Sequence, residues 1–200
     1  MSAILLGLAL SAHSQVIEFE SGGLKYQTLT KNGLTVMVAP LPSHIREYSI
    51  LQVAISNGSP VSWMVKPEDF HFEREDGTVI QATPAAKVIN GLIDKASRND
   101  VIRLVSAYES ALYGLQKFKS TNGYEARRQA AFAEVSSAKI KAAAAASAIA
   151  FVATKLQPGQ TTDGAVFWPT AGKPLGVGHL RVHAAGEDFE FTPEPMTARP

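Results

Sequence analysis

The chain has 200 residues, of which 46% are hydrophobic and 18% are charged, so it can fold as one domain or as one domain with an insertion. Its formal net charge of +1 argues against nucleic-acid binding through bulk electrostatic attraction. It contains no cysteine, which excludes disulfides, thiolate zinc sites, cysteine nucleophiles and a lipid-modified cysteine anchor.

Residues 1–14 are predicted to be an export signal peptide. The apolar run from Ala3 to Ala12 is too short to span a bilayer, and Ala12 and Ser14 are small residues where a signal peptidase would cleave before Gln15. No Lys or Arg precedes this run, so a buried N-terminal helix or strand is the alternative. No other segment is apolar over a membrane-spanning length, and we therefore expect an exported protein that is not an integral membrane protein.

Residues 16–83 have the pattern of short strands separated by turns. The Asn32-Gly33 pair lies between two β-rich runs and predicts a tight hairpin, because both turn positions need a positive φ angle. In the run REYSILQVAIS, the side chains on both faces of the predicted strand are partly apolar. Further along, Asp76-Gly77 predicts another turn. Short strands joined by such turns indicate an antiparallel sandwich or barrel.

From Thr83 onward the apolar residues follow helical spacing. Thr83 is predicted to cap a first helix with Pro84 at its first position, a second helix is predicted over residues 99–116, and a long third helix over residues 124–155. The third helix has a heptad seam of mostly small residues. We interpret the seam as the contact of a helical hairpin within a monomer, and a dimer interface is the alternative. The seam comprises Tyr124, Arg128, Ala131, Val135, Ala138, Ala142, Ala145, Ile149, Val152 and Leu156.

Strand character returns in GAVFWP, GHLRVHAA and EDFEFTP. Two patterns stand out in the β-rich portion: Ile-Ser-Asn-Gly-Ser at residues 55–59, and a later motif of Leu156, Pro158, Gly159, Gly164, Val166, Phe167 and Trp168. Together they resemble bacterial extracellular immunoglobulin-like domains of unknown function. The resemblance covers the β-rich portion only. It implies an immunoglobulin-like sandwich and a non-enzymatic role, with no catalytic residues to transfer.

The sequence therefore predicts an α+β protein, in which an antiparallel immunoglobulin-like β-sandwich carries an insertion of three helices. After the signal peptide, the discontinuous sandwich is predicted over residues 16–83 and 156–192, the helical insertion over residues 84–155 and a flexible tail over residues 193–200. The sandwich is expected to fold without the helices.

Two runs that contain histidine are the candidate chemical sites. His179 and His183 share one face of a predicted strand with Arg181, but positions i and i+4 of a strand lie roughly 13 Å apart, too far for one metal ion. His71 lies among carboxylates, which suits a metal ligand or a base, but such a run is more often a solvated strand face. No local catalytic or phosphate-binding motif occurs, so we predict no catalytic, metal or cofactor site and no enzyme. The acidic neighbours of His71 are Glu68, Asp69, Glu73 and Glu75.

Charge is distributed unevenly along the chain. Residues 84–155 contain 11 Lys and Arg against 5 Asp and Glu, a net charge of +6, and the remainder contains 8 against 13, a net charge of −5. In one interpretation the two parts dock on each other. In the other, the basic helices bind an acidic partner such as an anionic envelope component. The candidate interaction surface is Arg127, Arg128, Lys139 and Lys141.

Three functions are compatible with these patterns. The favoured one is an exported, non-catalytic β-sandwich protein that mediates protein or cell-envelope interactions, without a cofactor and without a nucleic-acid partner. The second is a carrier of a small ligand or metal in a pocket between sheet and helices. The third is a hydrolase built from dispersed Ser, His and Asp residues, for which no local motif occurs.

Overall fold

The computed structural model describes residues 15–97 and 138–194, together with residues 99, 100, 102, 105, 109, 123, 126, 127 and 129. Within these residues the protein is α+β, built mainly from antiparallel strands with two helices. The helices are α1 (Ala85–Lys95) and α2 (Ala138–Ile149). The strands are β1 (Ile17–Ser21), β2 (Leu24–Lys31), β3 (Leu34–Ile45), β4 (Tyr48–Asn57), β5 (Trp63–Val65), β6 (Phe70–Arg74), β7 (Val79–Gln81), β8 (Thr154–Leu156), β9 (Thr161–Pro169), β10 (Gly178–Ala184) and β11 (Glu187–Phe191).

Five strands form a central sheet in the order β1-β2-β3-β4-β9. All neighbouring strands are antiparallel, and the first four follow one another as hairpins. The hairpin predicted at Asn32-Gly33 is confirmed, since the two residues have positive φ angles of 48° and 74°.

A second sheet packs on one face of the central sheet, so the two sheets form a β-sandwich. Its four strands have the order β11-β10-β6-β7, and β5 pairs with β8 in a separate two-stranded sheet. Apolar side chains from both sheets form one continuous core between them. Val36, Val53, Phe72, Val182 and Phe189 are all 0% exposed in this core.

The two helices cover the opposite face of the central sheet and form a third layer. Tyr26, Ile50 and Phe167 on that face share a second core with Val88 and Leu92 of α1 and with the alanines of α2. Nine of the ten residues of β4 are buried. The two partly apolar faces that the sequence shows for this strand are therefore explained, because one face contacts the second sheet and the other contacts the helices.

The start of α1 differs from the predicted cap. Pro84, not Thr83, is the N-cap residue, and no side chain caps this end of the helix. The backbone N–H of Thr83 instead donates to the carbonyl oxygen of Phe167 at 2.7 Å, beside the edge of β9. A residue that precedes proline is biased towards extended backbone, which suits this pairing.

The end of α2 also differs from the prediction, because the helix stops at Ile149 and not at Lys155. Ala150 forms a parallel bridge to Ala165, and the N–H of Phe151 donates to the carbonyl oxygen of Ala165 at 2.9 Å. Hydrogen bonds to β9 thus replace those that would continue the helix. Since Phe151 is buried between the two sheets, the chain passes here from the helix layer into the sandwich core.

The alanine seam is confirmed within α2, but it does not continue to Val152 and Leu156 as predicted. These two residues lie beyond the end of the helix, Val152 being 48% exposed and Leu156 belonging to β8. Ala142, Ala145 and Ile149 are each exposed by 1% or less. Ala143 and Ala146 are buried as well, so the helix contacts its surroundings over a wider surface than the seam. The contacts are made within the chain, to α1 and to the central sheet.

Several sequence predictions fall outside the described residues. They are the signal peptide, most of the second predicted helix, the start of the third and the end of the tail. Only α1 and α2 have bounds within the described residues, but residues 99, 100, 102, 105 and 109 of the second predicted helix and residues 126, 127 and 129 of the third are also helical. The insertion of three helices stays a prediction. Residues 192–194 lie beside β2, where Gln27 Nε2 donates to the carbonyl oxygen of Thr192 at 3.0 Å and Lys25 pairs with Glu194.

Candidate functional site

The strand β10 alternates strictly between buried and exposed side chains. Leu180 and Val182 are buried in the sandwich core, and His179, Arg181 and His183 are exposed on the outer side of the sheet. The predicted polar face of this strand is therefore confirmed. Because β10 lies between β11 and β6, each of these outward side chains has neighbours from other strands.

The neighbouring strand β6 shows the same alternation. Phe72 is fully buried, and His71 and Glu73 face outward. The antiparallel register places His71 opposite Arg181 and Glu73 opposite His179. The two runs that contain histidine were separate in the sequence analysis, and the structure brings them together on one surface.

The strand β11 adds two carboxylates on the other side of β10. Glu190 lies opposite Arg181, and Asp188 lies opposite His183. Asp69, at the end of the short 3-10 turn before β6, interacts electrostatically with His183. We refer to this outer surface of the second sheet as the charged face. It comprises Asp69, His71, Glu73, His179, Arg181, His183, Asp188 and Glu190.

Arg181 is the centre of an ion-pair network on the charged face. Its guanidinium lies 3.2 Å from the carboxylate of Glu73 and 3.8 Å from that of Glu190. The Glu190 carboxylate is also 3.1 Å from Nδ1 of His179. These side chains are 35–53% exposed, and exposed ion pairs contribute only about 0–1 kcal/mol to stability. The network therefore adds little to the fold and leaves its charges accessible to a partner.

His183 and Asp188 form a second pair, with 2.8 Å between Nδ1 and Oδ1. The hydrogen bond from His183 is the main reason why the pKa of Asp188 lies below its ordinary value. At the neighbouring corner, burial raises the pKa of Asp69, although the backbone N–H of Lys66 donates to its carboxylate at 2.9 Å. The two carboxylates near His183 are thus in different environments, one exposed and one partly buried.

The charged face has more carboxylates than cations. Its four carboxylates and one guanidinium give a formal net charge of −3, with the three histidines counted as neutral. An excess of carboxylates on one exposed surface attracts cationic groups.

The arrangement of the histidines does not favour a metal centre. Arg181, a cation, lies opposite His71 and between His179 and His183, at the position that a shared metal ion would need. Across the described ranges, no group of three or more His, Asp or Glu residues is placed to hold a metal ion.

Two of the basic residues proposed as an interaction surface contact the ends of helices. Arg127 Nη2 donates to the carbonyl oxygen of Ala148 in the last turn of α2 at 2.9 Å. Lys139 Nζ donates to the carbonyl oxygen of Asp94 in the last turn of α1 at 2.7 Å. Cations at the C-terminus of a helix satisfy its free carbonyl groups and interact favourably with its dipole.

The other two basic residues are placed differently. Lys141 is partly buried on α2, and Arg128 lies outside the described residues. Arg46, in the turn between β3 and β4, makes a further contact with the end of α1, where its Nη1 donates to the carbonyl oxygen of Lys95 at 2.7 Å. Part of the positive charge near the helices is thus used within the molecule.

Among the helices that the structure describes, none has both the length and the apolar character needed to cross a membrane. No protein-family model, no curated protein and no solved structure matches this chain.

Proposed function

We propose that this chain is an exported, non-catalytic β-sandwich protein of immunoglobulin-like type that binds another protein through the charged face. The observation that carries this proposal is the convergence of eight ionisable side chains from distant parts of the chain on one exposed sheet surface. The apolar run near the N-terminus supports export. The resemblance to extracellular immunoglobulin-like domains supports the sandwich type and the non-enzymatic role.

The shape and charge of the charged face favour a protein partner. Sites for small molecules are usually concave and mostly apolar, whereas this surface is one side of a sheet and is lined by charges. Complementary charges across an interface accelerate association and exclude wrong partners. With a formal net charge of −3, histidines counted as neutral, the charged face suits a partner surface rich in Lys and Arg.

An anionic envelope component bound by the basic helices is less well supported. Arg127 and Lys139 already donate to backbone carbonyl groups at helix ends. Binding of an anion by these side chains would compete with contacts that stabilise the helices. The acidic charged face makes no such contribution to helix ends and is free of this conflict.

Removing charge from the charged face is expected to abolish partner capture without unfolding the protein. The measurement is a pull-down from an envelope fraction of the native host, with the purified protein as bait. We expect the double variant Glu73→Gln, Glu190→Gln to capture at least tenfold less partner protein than the wild type does. The control Glu20→Gln, Glu47→Gln removes two exposed carboxylates elsewhere and should behave as wild type. Both variants should keep wild-type stability within about 0.5 kcal/mol, as is usual for surface substitutions. Equal capture by the two variants would show that another surface binds the partner.

A further inference from the structure

Gln52 lies in the middle of β4, and its side chain faces the helix layer. Its cross-strand neighbours Ala39 and Ala165 belong to the core between the central sheet and the helices. Ile50 and Ala54, two positions away in each direction along β4, belong to the same core. Since Gln52 is only 1% exposed, its carboxamide is enclosed in a largely apolar layer.

The carboxamide of Gln52 is not satisfied within the described part of the chain. Both Oε1 and Nε2 are buried, and neither has a hydrogen-bond partner there. Burying an amide without hydrogen bonds is unfavourable, and the large majority of buried polar side-chain atoms have a partner. The two orphan atoms indicate that the partner of Gln52 is not one of these residues.

The described side chains around Gln52 are mostly small. Alanine flanks it on both neighbouring strands, and alanine also occupies most of the buried positions of α2 that belong to this core. Methyl groups offer no hydrogen bonds, and they fill less volume than the Leu and Ile side chains common in protein cores. The fully buried alanines of α2 with 1% exposure or less are Ala142, Ala145 and Ala146.

We infer that Gln52 is the recognition group of a binding site for a small, uncharged molecule between the central sheet and the helix layer. A carboxamide presents a donor and an acceptor side by side. The matching ligand carries an adjacent N–H and C=O, as in a primary amide or a lactam, and pairs with Gln52 through two parallel hydrogen bonds.

The surroundings of Gln52 select against a charged ligand. The alanines beside it provide no opposite charge, so an ion would lose its hydration without compensation. Asp163, a buried carboxylate on the same surface of the central sheet, already interacts within the chain. This site goes beyond the proposed function, because it lies on the opposite side of the central sheet from the second sheet and its charged face.

The test titrates the full-length wild-type protein with γ-butyrolactam and follows the side-chain amide of Gln52 by proton–nitrogen NMR. We expect this resonance to shift saturably and the melting temperature to rise with lactam concentration. The N-methyl derivative of the lactam, which lacks the N–H donor, should bind at least tenfold more weakly. This comparison needs no variant and so does not depend on the folding of a mutant.

A pair of variants then assigns the effect to Gln52. Gln52→Leu should remove the lactam-dependent rise in melting temperature, and Gln157→Leu, at an exposed glutamine, should retain it. The inference is overturned if the Gln52 resonance does not move at the highest soluble lactam concentration. It is also overturned if the N-methyl derivative acts equally well, or if the only contact detected at the Gln52 amide is with bound water.

Discussion

A variant in which a short Gly-Ser linker replaces residues 84–149 is expected to lose its cooperative fold. This replacement removes both described helices and exposes the helix-facing side of the central sheet. Tyr26, Ile50 and Phe167 on that side are each exposed by 2% or less in the intact protein. Burial of one such side chain contributes about 1.5–3 kcal/mol. Losing three of them removes a large part of a typical stability of about 5–15 kcal/mol.

The helix deletion also affects the edge of β9. Ala150 bridges to Ala165, and Thr83 bridges to Phe167, so both connections between the helices and the sandwich pair with this edge. A linker that leaves these connections unanchored would open the edge strand to intermolecular pairing. Aggregation is therefore expected to accompany the loss of structure.

Circular dichroism and thermal melting of the linker variant measure this effect. We expect a weak near-ultraviolet signal and a broad transition, where the wild-type protein should show a sharp one. This expectation differs from the modular behaviour inferred from the sequence alone. A cooperative, wild-type-like melt of the linker variant would show that the two sheets form a sufficient core without the helix layer.

The second large effect is expected from Gly164→Ala. A Cβ atom at Gly164 would lie 2.5 Å from Cα and 2.6 Å from the backbone N of Phe151, where the chain crosses from the helix layer into the sandwich core. Backbone atoms cannot move aside as a flexible side chain can, so the crossing itself must shift. We expect a destabilisation of about 1–3 kcal/mol, the usual range for overpacking, measured by urea denaturation.

Gly91→Ala is the matched control for this substitution. Gly91 lies inside α1, and a Cβ atom there meets no other atom within 4 Å. Alanine is favoured over glycine in a helix by about 1 kcal/mol, so this variant should be more stable than wild type. The same chemical change thus has opposite signs at the two sites. Similar stability of the two variants would mean that Phe151 does not approach β9 as closely as the structure shows.

The elements of the charged face were predictable strand by strand, but the charged face itself was not. The alternation around Arg181 and around His71 is a local pattern with period two, and each strand could be identified from it. Nothing in either run specifies that the two strands pair. The register that places His71 opposite Arg181 depends on which apolar side chains meet in the shared core, and these side chains are far apart in the sequence.

Gln52 illustrates a similar limit. The sequence shows a polar residue within a mostly apolar alternating run, which is common in strands with one solvated face. Its burial follows only from the helix layer that covers that side of β4. One sequence feature does point to the burial of Gln52. Both faces of this strand are partly apolar, which is typical of a strand covered on both sides.

The sequence by itself determined those features that depend on neighbouring residues. The Asn32-Gly33 hairpin follows from the backbone freedom of two residues, and the outward position of His179 follows from the geometry of one strand. Only the tertiary structure decided the pairing of β6 with β10, the end of α2 at Ile149 and the placement of the helices as a third layer. These features depend on hydrogen bonds and apolar burial between distant segments, and such contacts override local helix propensity where they are more favourable, as at Phe151.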